Sequence, residues 1–133
     1  MALNILDSFA LIAFLKDEPG ARMIEDLIMQ AQNGETDLAI CVVNLGEVWY
    51  SIARAKSAEI AERFVQQIQG LPIDVVDADW MLARQAAVYK ARGNISYADC
   101  YAAALAKLRK GEVVTGNREF EALKDEVKIA WIK

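Results

Sequence analysis

The apolar residues of this chain fall into two patterns that alternate from one end to the other. Short apolar runs at residues 3–6, 38–43, 73–76, 112–115 and 127–132 have strand length, whereas the stretches between them repeat apolar positions at helical spacing. The first run, Leu3 to Leu6, ends at Asp7 and passes directly into a helical pattern over 8–17 carried by Phe9, Ile12 and Ala13. A second helix over 21–31 places Met23, Ile24, Leu27 and Ile28 on one face and stops near Asn33 and Gly34. The run at 38–43 is continuously apolar, which predicts a strand buried on both faces, as in parallel sheets covered by helices. Asn44 then opens a helix over 44–54, and Ser57 opens another that runs to residue 69. Asp77 is read as the cap of a helix reaching about residue 90. Ser96 starts an alanine-rich helix over 98–109, and Asn117 opens a short one.

Strands separated by one or two helices, with no internal repeat and no low-complexity linker, predict an α/β fold. The sheet should be mostly parallel, with helices on both faces joined by right-handed crossovers. The 133 residues and 55% hydrophobic content suit a single domain spanning 1–133 with a real core. No apolar run approaches the roughly 20 residues of a membrane span, and no basic segment leads an apolar signal region, so the expectation is a soluble cytoplasmic protein. Cys41 sits in a strand run and Cys100 in a helix, which makes neither a disulfide framework nor a zinc spacing.

The chain has no histidine. That excludes histidine zinc sites, a Ser-His-Asp triad and any imidazole general base. Metal binding would have to go through oxygen, which favours hard cations such as Mg²⁺ or Mn²⁺. Gly93, Gly111 and Gly116 stand singly, so there is no glycine-rich phosphate cradle. The net charge of −4 comes from the first half, because residues 1–66 hold 5 basic and 10 acidic groups while residues 67–133 hold 10 and 9. A protein of this balance does not coat nucleic acid by bulk electrostatics. A metal that mediates contact with phosphate remains compatible with it.

Candidate chemistry therefore rests on the acids. Open parallel sheets bind ligands at the carboxyl ends of their strands, and Asp7 directly follows the first strand. Glu47 lies three residues past Asn44, Asp99 three past Ser96, and Asn117 follows the fourth strand. Each also has a plain structural role available. Asp7 and Asn117 can cap helices, and Asn44-Leu45-Gly46-Glu47 and Ser96-Tyr97-Ala98-Asp99 have the spacing of capping boxes. Position adds weight, since helices that follow parallel strands begin at one sheet edge. Carboxylates gathered there without Lys or Arg repel one another, and a divalent cation resolves the repulsion.

Taken together, Ile5-Leu6-Asp7-Ser8, Asn44-Leu45-Gly46-Glu47-Val48, Ser96-Tyr97-Ala98-Asp99-Cys100 and Val114-Thr115-Gly116-Asn117-Arg118-Glu119-Phe120 resemble the PIN-domain family. They look in particular like its VapC-type ribonuclease toxins, across nearly the whole chain and in the same order. The resemblance implies a five-stranded sheet in the order 3-2-1-4-5 and a metal-dependent endoribonuclease of a toxin–antitoxin pair. It implies Mg²⁺ or Mn²⁺ held by Asp7, Glu47 and Asp99, with Asn117 as a fourth catalytic position. It also implies RNA as substrate, a cognate antitoxin laid along a groove between helices, and a homodimer.

One position departs from the family pattern, which often has Asp where this chain has Asn117. An amide coordinates through its carbonyl or orients a water, but it removes one negative charge. Glu119 or Glu121 can substitute for the missing charge, although helical geometry points them differently, and both also read as surface acids. Ser8 and Thr115 are read as backbone caps, and Trp49 as a core or interface residue. Two readings from other classes are a PIN scaffold that binds without cleaving, suggested by Asn117, and a receiver or phosphoryl-transfer domain. The latter normally carries an adjacent acid pair after its first strand, which is missing here, as is an Asp-x-Asp motif at that place.

Overall fold

The computed structural model describes residues 2–132 and contains one five-stranded, all-parallel sheet in the order β3-β2-β1-β4-β5. The strands are β1 (Leu3–Leu6), β2 (Asp37–Cys41), β3 (Asp74–Val76), β4 (Glu112–Thr115) and β5 (Lys128–Trp131). The first strand in sequence is thus the middle strand in space. Two helices follow β1, α1 (Ser8–Leu15) and α2 (Ala21–Gln32), and two follow β2, α3 (Val42–Ala55) and α4 (Ala58–Gln69). Helices α5 (Trp80–Ala91) and α6 (Tyr97–Arg109) follow β3, and a 3-10 turn, Arg118–Leu123, joins β4 to β5.

Alternation along each strand divides the core into two layers. Ile5, Ala39, Cys41 and Val113 face α5 and α6, while Leu6, Leu38, Ile40 and Val114 face the layer of α1 to α4. Both sets are almost fully buried, which is why the strand runs read as continuously apolar. Ala102, Ala103, Ala104 and Ala106 are at most 1% exposed, so α6 lies close against the sheet and its neighbour. The apolar face of α2 turns inward through Ile24 and Ile28. Trp49 packs half-buried against the same layer, and its indole N–H donates to Glu62 at 2.8 Å.

Three boundaries differ from the sequence reading. The second strand ends at Cys41, and Val42 and Val43 form the first turn of α3 instead of its last strand residues. A short apolar run cannot by itself separate a strand end from a buried helix start. Asn44 is consequently not a cap but an interior residue of α3, with Cys41 in the N-cap position. The cap of α5 is Asp79, not Asp77, and its carboxylate accepts from the Leu82 amide at 2.9 Å. Starting there puts Leu82 into the core at 3% exposure. Among the described residues, no helix is long and apolar enough to cross a membrane.

Candidate active site

Three helices and the turn after β4 begin at the same sheet edge, and each brings a polar side chain to it. Asp7 is the N-cap of α1, so one carboxylate oxygen accepts from the Ala10 amide at 2.8 Å. Its other oxygen accepts from the Thr115 hydroxyl at the end of β4. Asp7 is completely buried. Burial pushes its pKa up to about 7, against the lowering effect of the two hydrogen bonds, and the negative charges of Asp99 and Glu47 raise it further.

Asp99 stands in the first turn of α6, where its amide donates to the Ser96 hydroxyl at 3.2 Å. Ser96 is therefore the cap, as the spacing predicts. The Asp99 carboxylate, however, accepts from the Asn117 amide nitrogen at 2.8 Å. Asp99 is 6% exposed. Burial raises its pKa to about 6, with the Glu47 and Glu119 charges adding to the effect. Glu47 lies on the second turn of α3, half-buried, and accepts from the Ser8 hydroxyl and from the Tyr50 hydroxyl at 3.3 Å.

Asn117 faces both ways. Its carbonyl oxygen accepts from the Glu119 amide at 3.1 Å, which caps the 3-10 turn, while its NH₂ donates to Asp99 and, at 3.2 Å, to Glu119. The amide orientation follows from the chemistry, since the reverse would set a carbonyl oxygen against two carboxylates.

These groups surround an open cleft of about 280 Å³. Glu47, Asp99, Asn117 and Glu119 line it together with Ser8 and Phe9, and among the described residues no lysine or arginine does. Asp7 lies beneath the floor. The four residues singled out from the sequence are thus gathered at one place, three on the cleft wall and one buried under it. Glu119, read as a surface acid, is exposed but turns to the cleft rim, whereas Glu121 turns away and pairs with Arg118 at 3.7 Å.

Sequence reasoning missed the roles of three polar residues. Ser8 and Thr115, read as backbone caps, donate to the Glu47 and Asp7 carboxylates. Asn44, read as a cap, is fully buried within α3. The available signal was a polar residue on the inward stripe that Val48 and Ile52 continue at four-residue spacing.

The donor set is all oxygen. Two buried carboxylates with raised pKa values and, among the described residues, no cationic partner fit a hard divalent cation. Among the described residues, no three Asp, Glu or Cys side chains form a ready cage for a bare ion.

A model of the PIN domain matches residues 5–126. No curated protein matches the chain by sequence. Among solved structures, the fold is similar to that of a DNA-bound VapBC from Salmonella typhimurium, at 21% identity, TM-score 0.77 and full coverage of both chains. It is similar to a VapBC from Rickettsia felis bound to a promoter fragment, at 16% identity and TM-score 0.77, covering 98% of this chain and 99% of that one. A sarcin–ricin-loop-cleaving VapC toxin from Mycobacterium tuberculosis is similar at 15% identity and TM-score 0.69, with 91% and 94% covered.

Proposed function

The chain belongs to the PIN domain family, and from that premise we propose that it is a divalent-metal-dependent endoribonuclease, the toxin of a type II toxin–antitoxin pair. The observation that carries this reading is the pair of buried acids, Asp7 and Asp99, whose pKa values burial raises to about 7 and about 6, beside Glu47 at a cleft that no basic side chain among the described residues lines. Support comes from the fold neighbours, which are VapBC assemblies and a toxin that cleaves the sarcin–ricin loop.

In this reading Asp7, Glu47 and Asp99 hold Mg²⁺ or Mn²⁺. When bound, such an ion supplies a water acidified enough to attack phosphorus and a counter-charge for the phosphate. The chain's own residues orient the acids. Ala10 and Thr115 fix both oxygens of Asp7, Asn117 fixes one oxygen of Asp99, and Ser8 fixes Glu47. No side-chain nucleophile is required. The thiols are unsuited to that task, because burial pushes Cys100 up to about 11 and Cys41 also upward.

An acidic cleft of this kind accepts a basic side chain from a partner protein, which supports an antitoxin that blocks the site. RNA reaches the same cleft through the metal, consistent with the acidic balance of the chain.

The deciding experiment is cleavage of a set of small structured RNAs by the purified chain with Mg²⁺ or Mn²⁺, with chelator, and with the Asp99→Asn variant. Cleavage that disappears with chelator and in the folded variant is the expected result. Cleavage that survives either change overturns the metal assignment.

A further inference from the structure

Given the metal-nuclease reading, on which this rests, we infer that Asn44 is a positioning residue that sets the spacing of the three acids by tying their helices together through one buried amide. Asn44 is the third residue of α3, fully buried on the stripe that Val48 and Ile52 continue inward. Its NH₂ donates at 3.0 Å to the carbonyl of Ala98 on α6 and at 3.4 Å to the hydroxyl of Ser8 on α1. Ala98 immediately precedes Asp99, and Ser8 immediately follows Asp7. Glu47 is three residues along the same helix as Asn44. Every contact of this amide is therefore within a few bonds of a different acid.

The contacts also set proton positions. The Ser8 hydroxyl has a single proton and two acceptors, the Glu47 carboxylate and, at 3.3 Å, the main-chain carbonyl of Asn44, of which the carboxylate is the nearer. By donating to the Ser8 oxygen, Asn44 leaves that proton directed at the carboxylate. The result is a relay from α3 through Ser8 back to α3, with its origin anchored on α6. A flipped amide would set oxygen against the Ala98 carbonyl, so the orientation is fixed.

Stability does not account for asparagine here. Its carbonyl oxygen is buried and finds no hydrogen-bond partner among the described residues, and an unpaired buried acceptor destabilises a fold. Leucine shares the branching of asparagine, is larger by about two methyl groups' worth of volume, and would leave no orphan. The position keeps a polar group despite that cost, and what the group does is join three acid-bearing helices.

The test measures Mn²⁺ affinity by electron paramagnetic resonance, RNA cleavage kinetics and Tm for the wild type, Asn44→Leu and Ser8→Ala. Asn44→Leu is expected to keep its Tm within about 5 °C, to weaken Mn²⁺ binding at least about tenfold, and to lower kcat with little change in KM, the range seen when supporting partners of metal ligands are lost. Ser8→Ala, which cuts the relay at its other end, should weaken Mn²⁺ comparably, and the double variant should add little. If the leucine variant does not fold, Asn44→Ser, too short to reach Ala98, decides the matter in the same assays. A folded Asn44 variant with wild-type Mn²⁺ affinity and kcat overturns the inference and leaves the nuclease reading standing. A wild type that neither binds Mn²⁺ nor cleaves RNA overturns both.

Discussion

The hydroxyl of Thr115 donates to the carboxylate of Asp7 across the gap between the ends of two neighbouring strands. The register makes this contact unavoidable. Leu6 on β1 pairs with Val114 on β4, so the next residue on each chain, Asp7 and Thr115, meet side by side just past the sheet. The same hydroxyl accepts from the Asn117 amide at 2.9 Å, which links the buried acid to the turn that carries the cleft's fourth polar group.

Thr115→Val keeps the shape and deletes the donor. The Thr115 bond holds the Asp7 pKa down against burial, and a hydrogen bond to a charged group is worth about 1.5–3 kcal/mol. Its loss raises the Asp7 pKa by about one unit or more. The acid limb of the kcat/KM profile should therefore move to higher pH, while the Tm at pH 5 changes little. A profile that stays in place would show that Asp7 ionisation is not needed for turnover.

Asp7 and Asp99 both have folded-state pKa values above those of the unfolded chain, about 7 and about 6 against 3.8. Their contribution to stability is fully present below about pH 4, where both states carry the proton. It is lost as pH rises through the folded values. Asp7→Asn carries no such dependence at position 7, so its stability relative to the metal-free wild type should rise between pH 5 and pH 8, by at most about 2.7 kcal/mol. Added Mn²⁺ should reverse the order at pH 8. Thermal melts at both pH values check this, and a relative stability that falls as pH rises contradicts it.

Asn117→Asp replaces a donor shared by Asp99 and Glu119 with a third acid. At pH 8 and without metal it should cost about 1–3 kcal/mol through lost hydrogen bonds and added repulsion. Asn117→Ala loses the bonds alone and should cost less. The aspartate variant should also bind Mn²⁺ more tightly than wild type, read by titration, because it adds an oxygen charge to the cleft.

Gly116→Ala tests the cleft rim. A Cβ at position 116 would overlap the end of the Phe9 ring, yet that ring is 46% exposed and free to swing outward. The variant should fold with a Tm close to wild type and show altered Phe9 ring resonances. A loss of several degrees would mean the ring cannot move.

Much of the fold follows from short-range pattern. Every strand and helix is visible in the period of its apolar positions, and caps such as Asp7, Ser57, Ser96 and Asn117 act where their spacing places them. Boundaries slipped where the pattern is degenerate. Val42 and Val43 suit a strand end and a buried helix turn equally, and Asp77 and Asp79 are both good caps.

The sequence by itself determined the element types, the absence of imidazole chemistry, and the oxygen character of any metal site, because these depend on residue identity and local periodicity. Only the tertiary structure decided how the polar groups are used. Whether Thr115 caps a turn or holds Asp7, whether Glu119 faces solvent or the cleft, and that Asn44 spans three helices all depend on residues far apart in the chain. Parallel pairing in the order β2-β1-β4 brings positions 7, 44, 99 and 115 together at one edge, and hydrogen bonds over such separations leave no mark on the period of any single segment.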